Sequence, residues 1–112
     1  MIGTTRTRVS VELRHVVQTP MGQEKTWQPV VTLWARIVVL DPLVQVQFQQ
    51  VGTASARWRL YFRDNPESMH PDLRFGMMRF RWDDQQAYPM SDMERLGKRF
   101  AVIGLERDTH EA

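Results

Sequence analysis

Residues 56–63 read ARWRLYFR, and this stretch decides the fold. Successive side chains of a β-strand point to opposite faces, so Trp58, Leu60 and Phe62 share one side. The other side carries Arg57, Arg59, Tyr61 and Arg63. This alternation predicts a strand that packs one face against a core and leaves a basic face outside.

Other stretches extend the same pattern. Residues 78–82, MRFRW, alternate apolar side chains inward with Arg79 and Arg81 outward. Residues 9–14, VSVELR, alternate in the same way, whereas residues 33–39, LWARIVV, are apolar on both faces, which predicts a central strand. Residues 99–106 supply a last strand, also apolar on both faces. The predicted core comprises Trp34, Ile37, Trp58, Leu60, Phe62, Phe80, Trp82, Phe100 and Val102.

Turn signals separate these strands. His15 breaks the first alternation, which predicts a bulge or a strand end before the turn at residues 19–22, TPMG. Pro29 is expected to split or kink the next strand, and Pro89 to limit residues 87–90 to a short edge strand. Five to six short strands predict a mainly β fold, a small antiparallel β-barrel or sandwich.

Residues 41–55 fit no strand of this core and are predicted to form a projecting arm. Asp41-Pro42 is a helix start signal and Gly52 a stop signal, which favours a short helix. Val44, Val46 and Phe48, however, alternate with glutamines as in a strand, so both interpretations stay open.

Composition indicates one globular domain over residues 1–112, since 42% of the residues are hydrophobic and 25% are charged. No apolar run reaches the roughly 18 residues of a membrane helix, and no secretion signal is visible, so we expect a soluble protein made in the cytoplasm. The chain has no cysteine, which excludes disulfides and thiolate metal sites. Its net charge is only +2, but thirteen of its fifteen basic residues are arginine, the cation suited to carboxylates and phosphates at interfaces.

No pattern of catalytic or cofactor-binding residues is found in the sequence. The histidines, His15, His70 and His110, have no second ligand at metal-binding spacing, and no serine lies in a nucleophile motif. The adjacent carboxylates of Asp83 and Asp84 are interpreted as a turn. We therefore expect a protein that is not an enzyme and has no cofactor.

The interleaving of arginine with aromatic residues is also typical of sheet surfaces that bind single-stranded nucleic acid. Such surfaces need aromatic rings on the same exposed face as the cations. Here the alternation sends Trp58, Phe62, Phe80 and Trp82 to the opposite face, and only Tyr61 lies among the arginines. The pattern therefore favours a core face and a charged outer face.

The order of segments along nearly the whole chain resembles the phage head–tail joining family, also called head-closure or stopper proteins. The resemblance is carried by VSVELR (9–14), MGQEKTWQPVVTLWARI (21–37), QVQFQQ (45–50), RWRLYFR (57–63), GMMRFRW (76–82), AYPM (87–90) and KRFAVIGLER (98–107). The pair Trp34-Ala35 is its most specific element. The chain departs from the family in the loop RDNPESMHPDLRF (63–75) and in VVLDPLVQ (38–45), which puts the length and pose of the arm in doubt.

The resemblance implies a structural virion protein of the head–tail connector, located in the neck and in the host cytoplasm during assembly. Its partners would be the portal or adaptor, tail proteins and copies of itself in a ring, twelve-fold in the virion and monomeric when isolated. DNA would pass through the channel without sequence-specific binding, and no membrane is involved. The arm residues Gln45, Gln47, Phe48, Gln49 and Gln50 would contact neighbouring subunits or the channel lumen.

A ring joins one patch of each copy to a different patch of the next. We therefore expect the outward arginines to meet acidic residues of another chain, such as Asp83, Asp84, Asp92 and Glu94, or acidic residues of the adaptor; these arginines are Arg57, Arg59, Arg63, Arg79 and Arg81. The alternatives are a tail-completion protein and a small β-barrel module that binds single-stranded nucleic acid.

Overall fold

The structure is a computed structural model that describes residues 6–40 and 56–106. In these ranges the chain forms seven strands, β1 (Thr7–Thr19), β2 (Gly22–Val39), β3 (Ala56–Phe62), β4 (Met78–Trp82), β5 (Gln85–Pro89), β6 (Glu94–Leu96) and β7 (Arg99–Leu105). A short 3-10 helix covers Pro66–Ser68. All strand pairs are antiparallel. The predicted mainly β, antiparallel fold is confirmed, with seven strands in place of five to six; the arm at 41–55 lies outside the described residues.

Six of the described strands pair in a closed path, in the order β1, β2, β3, β7, β5, β4 and back to β1. β6 pairs with the beginning of β7, and β5 pairs with the end of β7. β5 therefore has β4 and β7 as neighbours and is not the edge strand that Pro89 predicts. Gly104 permits the close approach of β7 to β5, because a Cβ at this position would lie 2.6 Å from the Cβ of Ala87.

Within the core, β3 and β4 pack against each other, and they lie opposite each other in this closed path. Trp58 meets Trp82 edge-on with ring centroids 5.1 Å apart, and Phe62 meets Phe80 at 5.1 Å. Each such aromatic pair contributes about 0.5–1.5 kcal/mol beyond the burial of its area. The apolar faces predicted for ARWRLYFR and MRFRW therefore pack against each other across the interior.

The predicted core residues are confirmed where the alternation is regular. Trp58, Leu60, Phe62, Phe80, Trp82 and Val102 are buried, and Ile37 packs against the core with part of its surface exposed. Phe100 is only half-buried.

The prediction for Trp34 is wrong, because its side chain is 53% exposed. Ala35 is the inward residue at this point of β2, where it pairs with Phe62 and is 1% exposed. Its neighbour Trp34 must therefore point outward.

The first two strands form one long hairpin. β1 does not end at His15 but continues to Thr19, and Gly22 adopts the positive φ of 121° that the reversal requires. The irregularity lies earlier, between Val11 and Glu12, where β2 carries the extra residue Val30 beside Pro29. β2 therefore continues through Pro29 with a bulge.

The far part of this hairpin, residues 14–28, is a two-stranded ribbon. Beyond Leu13, β1 has no strand partner other than β2 in the described chain, and β2 gains its second partner only at Ala35. Six residues of extended chain, 14–19, span about 20 Å. Val16, Val17 and Met21 are exposed on this ribbon.

The loop between β3 and β4 is anchored by Asn65, whose side chain accepts a hydrogen bond from the N–H of Glu67 at 3.0 Å. Burial raises the pKa of the Glu67 carboxyl, and the nearby charge of Asp92 adds to this effect. Hydrogen bonds from the backbone of Met93 and Phe75 act in the opposite direction but do not offset it. One carboxyl oxygen, Oε2, is buried and has no hydrogen-bond partner among the described residues.

Replacing Trp58 with alanine is expected to cost about 3–5 kcal/mol of unfolding free energy, because the ring is buried in the aromatic core. Trp34→Ala is the matched control and is expected to cost about 1 kcal/mol or less, since half of that ring is already in solvent. Chemical denaturation of both variants measures the difference. Equal losses would contradict the inward and outward assignment of the two tryptophans.

Glu67→Gln is expected to change stability in a pH-dependent way. A carboxyl whose pKa is raised by folding stabilises the fold fully below its unfolded pKa, and this contribution is lost as pH rises through the folded pKa. The neutral glutamine does not titrate, so the variant should be more stable than wild type at neutral pH. This difference in stability should disappear in acid. Thermal unfolding across this pH range tests the sign, and a pH-independent difference would contradict the assignment.

Candidate functional site: a basic pocket at one end of the closed sheet

A pocket of about 300 Å³ lies where β3 ends and β7 begins, beside residues 34–36 of β2. β2 contributes three consecutive residues, β3 contributes its last two, β7 contributes its first, and three further residues come from outside the strands. The lining consists of Arg6, Trp34, Ala35, Arg36, Tyr61, Phe62, Arg63, Lys98 and Arg99.

Strand register brings these residues together. Phe62 of β3 pairs with Ala35 of β2 on one side and with Phe100 of β7 on the other. The residues beside these three positions therefore meet at one end of the sheet. The turn between β6 and β7 adds Lys98, and Gly97 supplies the positive φ of 64° needed there.

The pocket is strongly basic. Five of its lining residues are cations, and no lining residue is a carboxylate. No ion pair joins any of these five to an acidic residue within 6–40 or 56–106. Like charges held together repel, so an anion placed in this pocket would be stabilised by all of them.

Aromatic rings lie on the same outward side as the cations. The guanidinium of Arg8 is 5.5 Å from the ring centroid of Trp34. Tyr61 has Arg36 at 5.7 Å and Arg59 at 5.5 Å from its centroid. These cation–π contacts hold arginine side chains along the two rings.

Of the predicted interface charges, only Arg63 lines the pocket. Arg57 and Arg59 have partners within the chain, Glu106 at 4.0 Å and Glu94 at 3.5 Å. We expect Glu94 to pair with an arginine of another chain, but here it pairs with Arg59 of the same chain. Three predicted interface charges are exposed outside the pocket lining: Arg81 near the end of β4, and Asp83 and Asp84 in the β4–β5 turn. Asp83 adopts a positive φ of 48° in this turn. The predicted arm contacts at 45–50 lie outside the described residues.

Arg79 lies on the outer face of β4, as the alternation predicts, but the prediction that it is an exposed interface charge is wrong. Its side chain is only 12% exposed and forms a salt bridge with Glu12, itself 9% exposed. Arg79 Nη1 also donates to Tyr88 Oη at 3.1 Å, and the guanidinium lies 4.7 Å from the ring centroid of Trp27. Trp27 and Tyr88, in edge contact at 5.8 Å, border the outer face of β1 and β4 at this point.

This buried cluster, Glu12–Arg79–Tyr88–Trp27, ties the base of the ribbon to the closed sheet. Burial lowers the pKa of Arg79, but hydrogen bonds and charge interactions with Glu12 and Tyr88 outweigh burial and raise it overall. The guanidinium therefore stays charged. An isolated two-stranded hairpin is marginally stable, so we infer that this cluster orders the ribbon.

Sequence reasoning missed most of the pocket. No sequence pattern predicts a binding role for Arg6, Arg36, Lys98 or Arg99. The sequence predicts Trp34 in the core, although it lines the pocket. The local signal was the alternation of Trp34 and Arg36 around the small Ala35, which places a tryptophan and an arginine on one face. The meeting of β2 with β3 and β7 depends on long-range register, which local alternation does not reveal.

No protein-family model and no curated protein matches this chain. Two solved structures share its fold over nearly the full length. Protein SF1141 from Shigella flexneri 2a is 16% identical, with a TM-score of 0.65 over 94% of this chain and 95% of that one. A chain from the virion of a native gene transfer agent particle is 15% identical, with a TM-score of 0.56 over 91% of this chain and 94% of that one.

In the described part of the chain, no helix is long and apolar enough to cross a membrane. No group of three or more histidine, aspartate or glutamate side chains could hold a metal ion among these residues.

Arg79→Ala is expected to cost about 3–5 kcal/mol of unfolding free energy, because it leaves the buried Glu12 charge without its partner. Arg81→Ala, two residues along the same strand and exposed, should stay within about 0.5 kcal/mol of wild type. The double variant Glu12→Leu/Arg79→Met removes both charges and should recover most of the loss. Equal stability of the two single variants would contradict the buried pair.

Proposed function

We propose that this chain is a structural protein of a phage-like virion and that it acts in the head–tail connector. The observation that carries this proposal is the fold shared, over nearly both chains, with a component of a gene transfer agent virion. The order of segments from VSVELR to KRFAVIGLER, which resembles the head–tail joining family, supports it independently.

A connector subunit must bind copies of itself, and the ribbon at residues 14–28 offers a suitable surface. Strand edges without partners carry free N–H and C=O groups that pair readily with another chain. On this ribbon the β1 edge after Arg14 has no strand partner other than β2 within the described residues. We assign the exposed Val16 and Val17 to a contact with the next copy.

In this proposal the closed sheet supplies a rigid body and the outer surfaces supply the contacts. Copies form a ring between the portal or adaptor and the tail proteins, and DNA passes through the channel. The protein is located in the neck of the virion and in the host cytoplasm during assembly. Such a role requires no catalytic group.

The proposal is tested by disrupting the gene in the phage-like element that carries it and analysing the particles. We expect heads and tails that do not join, and recovery of joined particles when the wild-type chain is supplied. The wild-type chain should co-purify with complete particles and lie at the neck in electron cryo-microscopy. Complete particles without the chain would contradict the proposal.

The alternative role of tail completion predicts a different defect. Loss of a head-closure protein leaves heads that release their DNA, whereas loss of a tail-completion protein leaves closed, filled heads. Measuring the DNA content of the unjoined heads therefore separates the two roles.

The ribbon is tested with Val16→Asp and Val17→Asp, with Gln18→Asp as the matched control. All three positions are exposed, so we expect folded monomers in each case. The valine variants should fail to restore joined particles while the Gln18 variant restores them. If the valine variants restored joined particles fully, this would contradict the assignment of the ribbon to the contact between copies.

A further inference from the structure

Among residues 6–40 and 56–106, no carboxylate pairs with the cations of the basic pocket. Five cations surround about 300 Å³ of space without a lining carboxylate. Four of them are arginines, whose planar forks bind phosphate oxygens in pairs. A polyanion that brings several phosphates at once would relieve the repulsion among them.

The aromatic residues of the pocket select among polyanions. Trp34 and Arg36 lie on the outward face of β2, Tyr61 lies on the outward face of β3, and Arg63 follows directly after that strand. Exposed rings on the same face as the cations are the arrangement on which bases of a single strand stack. An acidic peptide would engage the cations but would have no planar groups to match a tryptophan that is 53% exposed.

We propose that the basic pocket binds single-stranded nucleic acid, with backbone phosphates on Arg36, Arg63, Lys98 and Arg99 and one base against Trp34. This assignment rests on the pocket alone and does not depend on the connector role. It reverses the conclusion drawn from periodicity, because the aromatic residues of this face are Trp34 and Tyr61 rather than the buried rings.

The phosphate contacts are tested by fluorescence anisotropy of a labelled oligothymidylate over a range of salt concentrations. Each phosphate neutralised on a single strand contributes about −0.7 to the slope of log K against log salt. Arg63→Ala/Arg99→Ala should therefore flatten the slope by about 1.4. Arg74→Ala/Arg81→Ala removes two exposed arginines outside the pocket lining and should leave the slope unchanged.

The base contact is tested at Trp34. Trp34→Ala should weaken binding roughly 5- to 150-fold, the range that base–aromatic stacking contributes, while Trp34→Phe should retain most of the affinity. Stacking should also quench tryptophan fluorescence in the wild type. That quenching should disappear in Trp34→Phe, since Trp58 and Trp82 are buried and Trp27 lies outside the pocket lining. Because the quenching is read on the unmodified protein, the test does not depend on the alanine variant being folded.

Competition identifies the ligand class. Unlabelled single strands should displace the probe far better than duplex DNA or polyglutamate. Equal displacement by polyglutamate would assign the pocket to an acidic protein segment and overturn the proposal. Equal displacement by duplex DNA, without quenching of tryptophan fluorescence, would overturn it as well. Equal flattening of the salt slope in the pocket variant and in the control arginine variant would also overturn it.

Discussion

Packing of aromatic rings across the interior is the interaction on which the rest of this structure depends. Trp58 and Phe62 of β3 meet Trp82 and Phe80 of β4, although the two strands lie opposite each other in the closed sheet. These contacts determine which face of β3 is inside. The outward direction of Tyr61 and Arg63 follows, because alternate side chains of a strand point to opposite faces. Through the register of β2 against β3, Trp34 and Arg36 are outward as well.

A second constraint operates on the outer surface. Glu12 and Arg79 form an ion pair under Trp27 and Tyr88, which attaches the ribbon to the closed sheet. The bulge beside Pro29 lies at the same level, since Pro29 pairs with Glu12. The ribbon and the pocket thus differ in character: the ribbon presents open strand edges and exposed valines, whereas the pocket presents concentrated positive charge. A subunit that binds its neighbours through one region and a polyanion through another would have this arrangement.

Local alternation was sufficient to predict the strands and most of the core. ARWRLYFR and MRFRW behave as their period of two indicates, because each predicted inward residue is buried. The errors have non-local causes. Trp34 is outside because Ala35 occupies the inward position opposite Phe62, and Arg79 is covered by Trp27, which is distant in sequence. The pocket joins residues from 6 to 99, so it could be predicted only with the order and register of the strands in hand.

The inner face of β3 packs in the core, and we propose that its outer face contacts single-stranded nucleic acid. The most direct measurement is a nuclear magnetic resonance titration of the isotope-labelled chain with a short single strand. We predict that the signals of the Trp34 indole, Tyr61, Arg63 and Arg99 shift, while the indoles of Trp58 and Trp82 stay unchanged. Shifts confined to the ribbon, or equal shifts of the buried indoles, would contradict the claim.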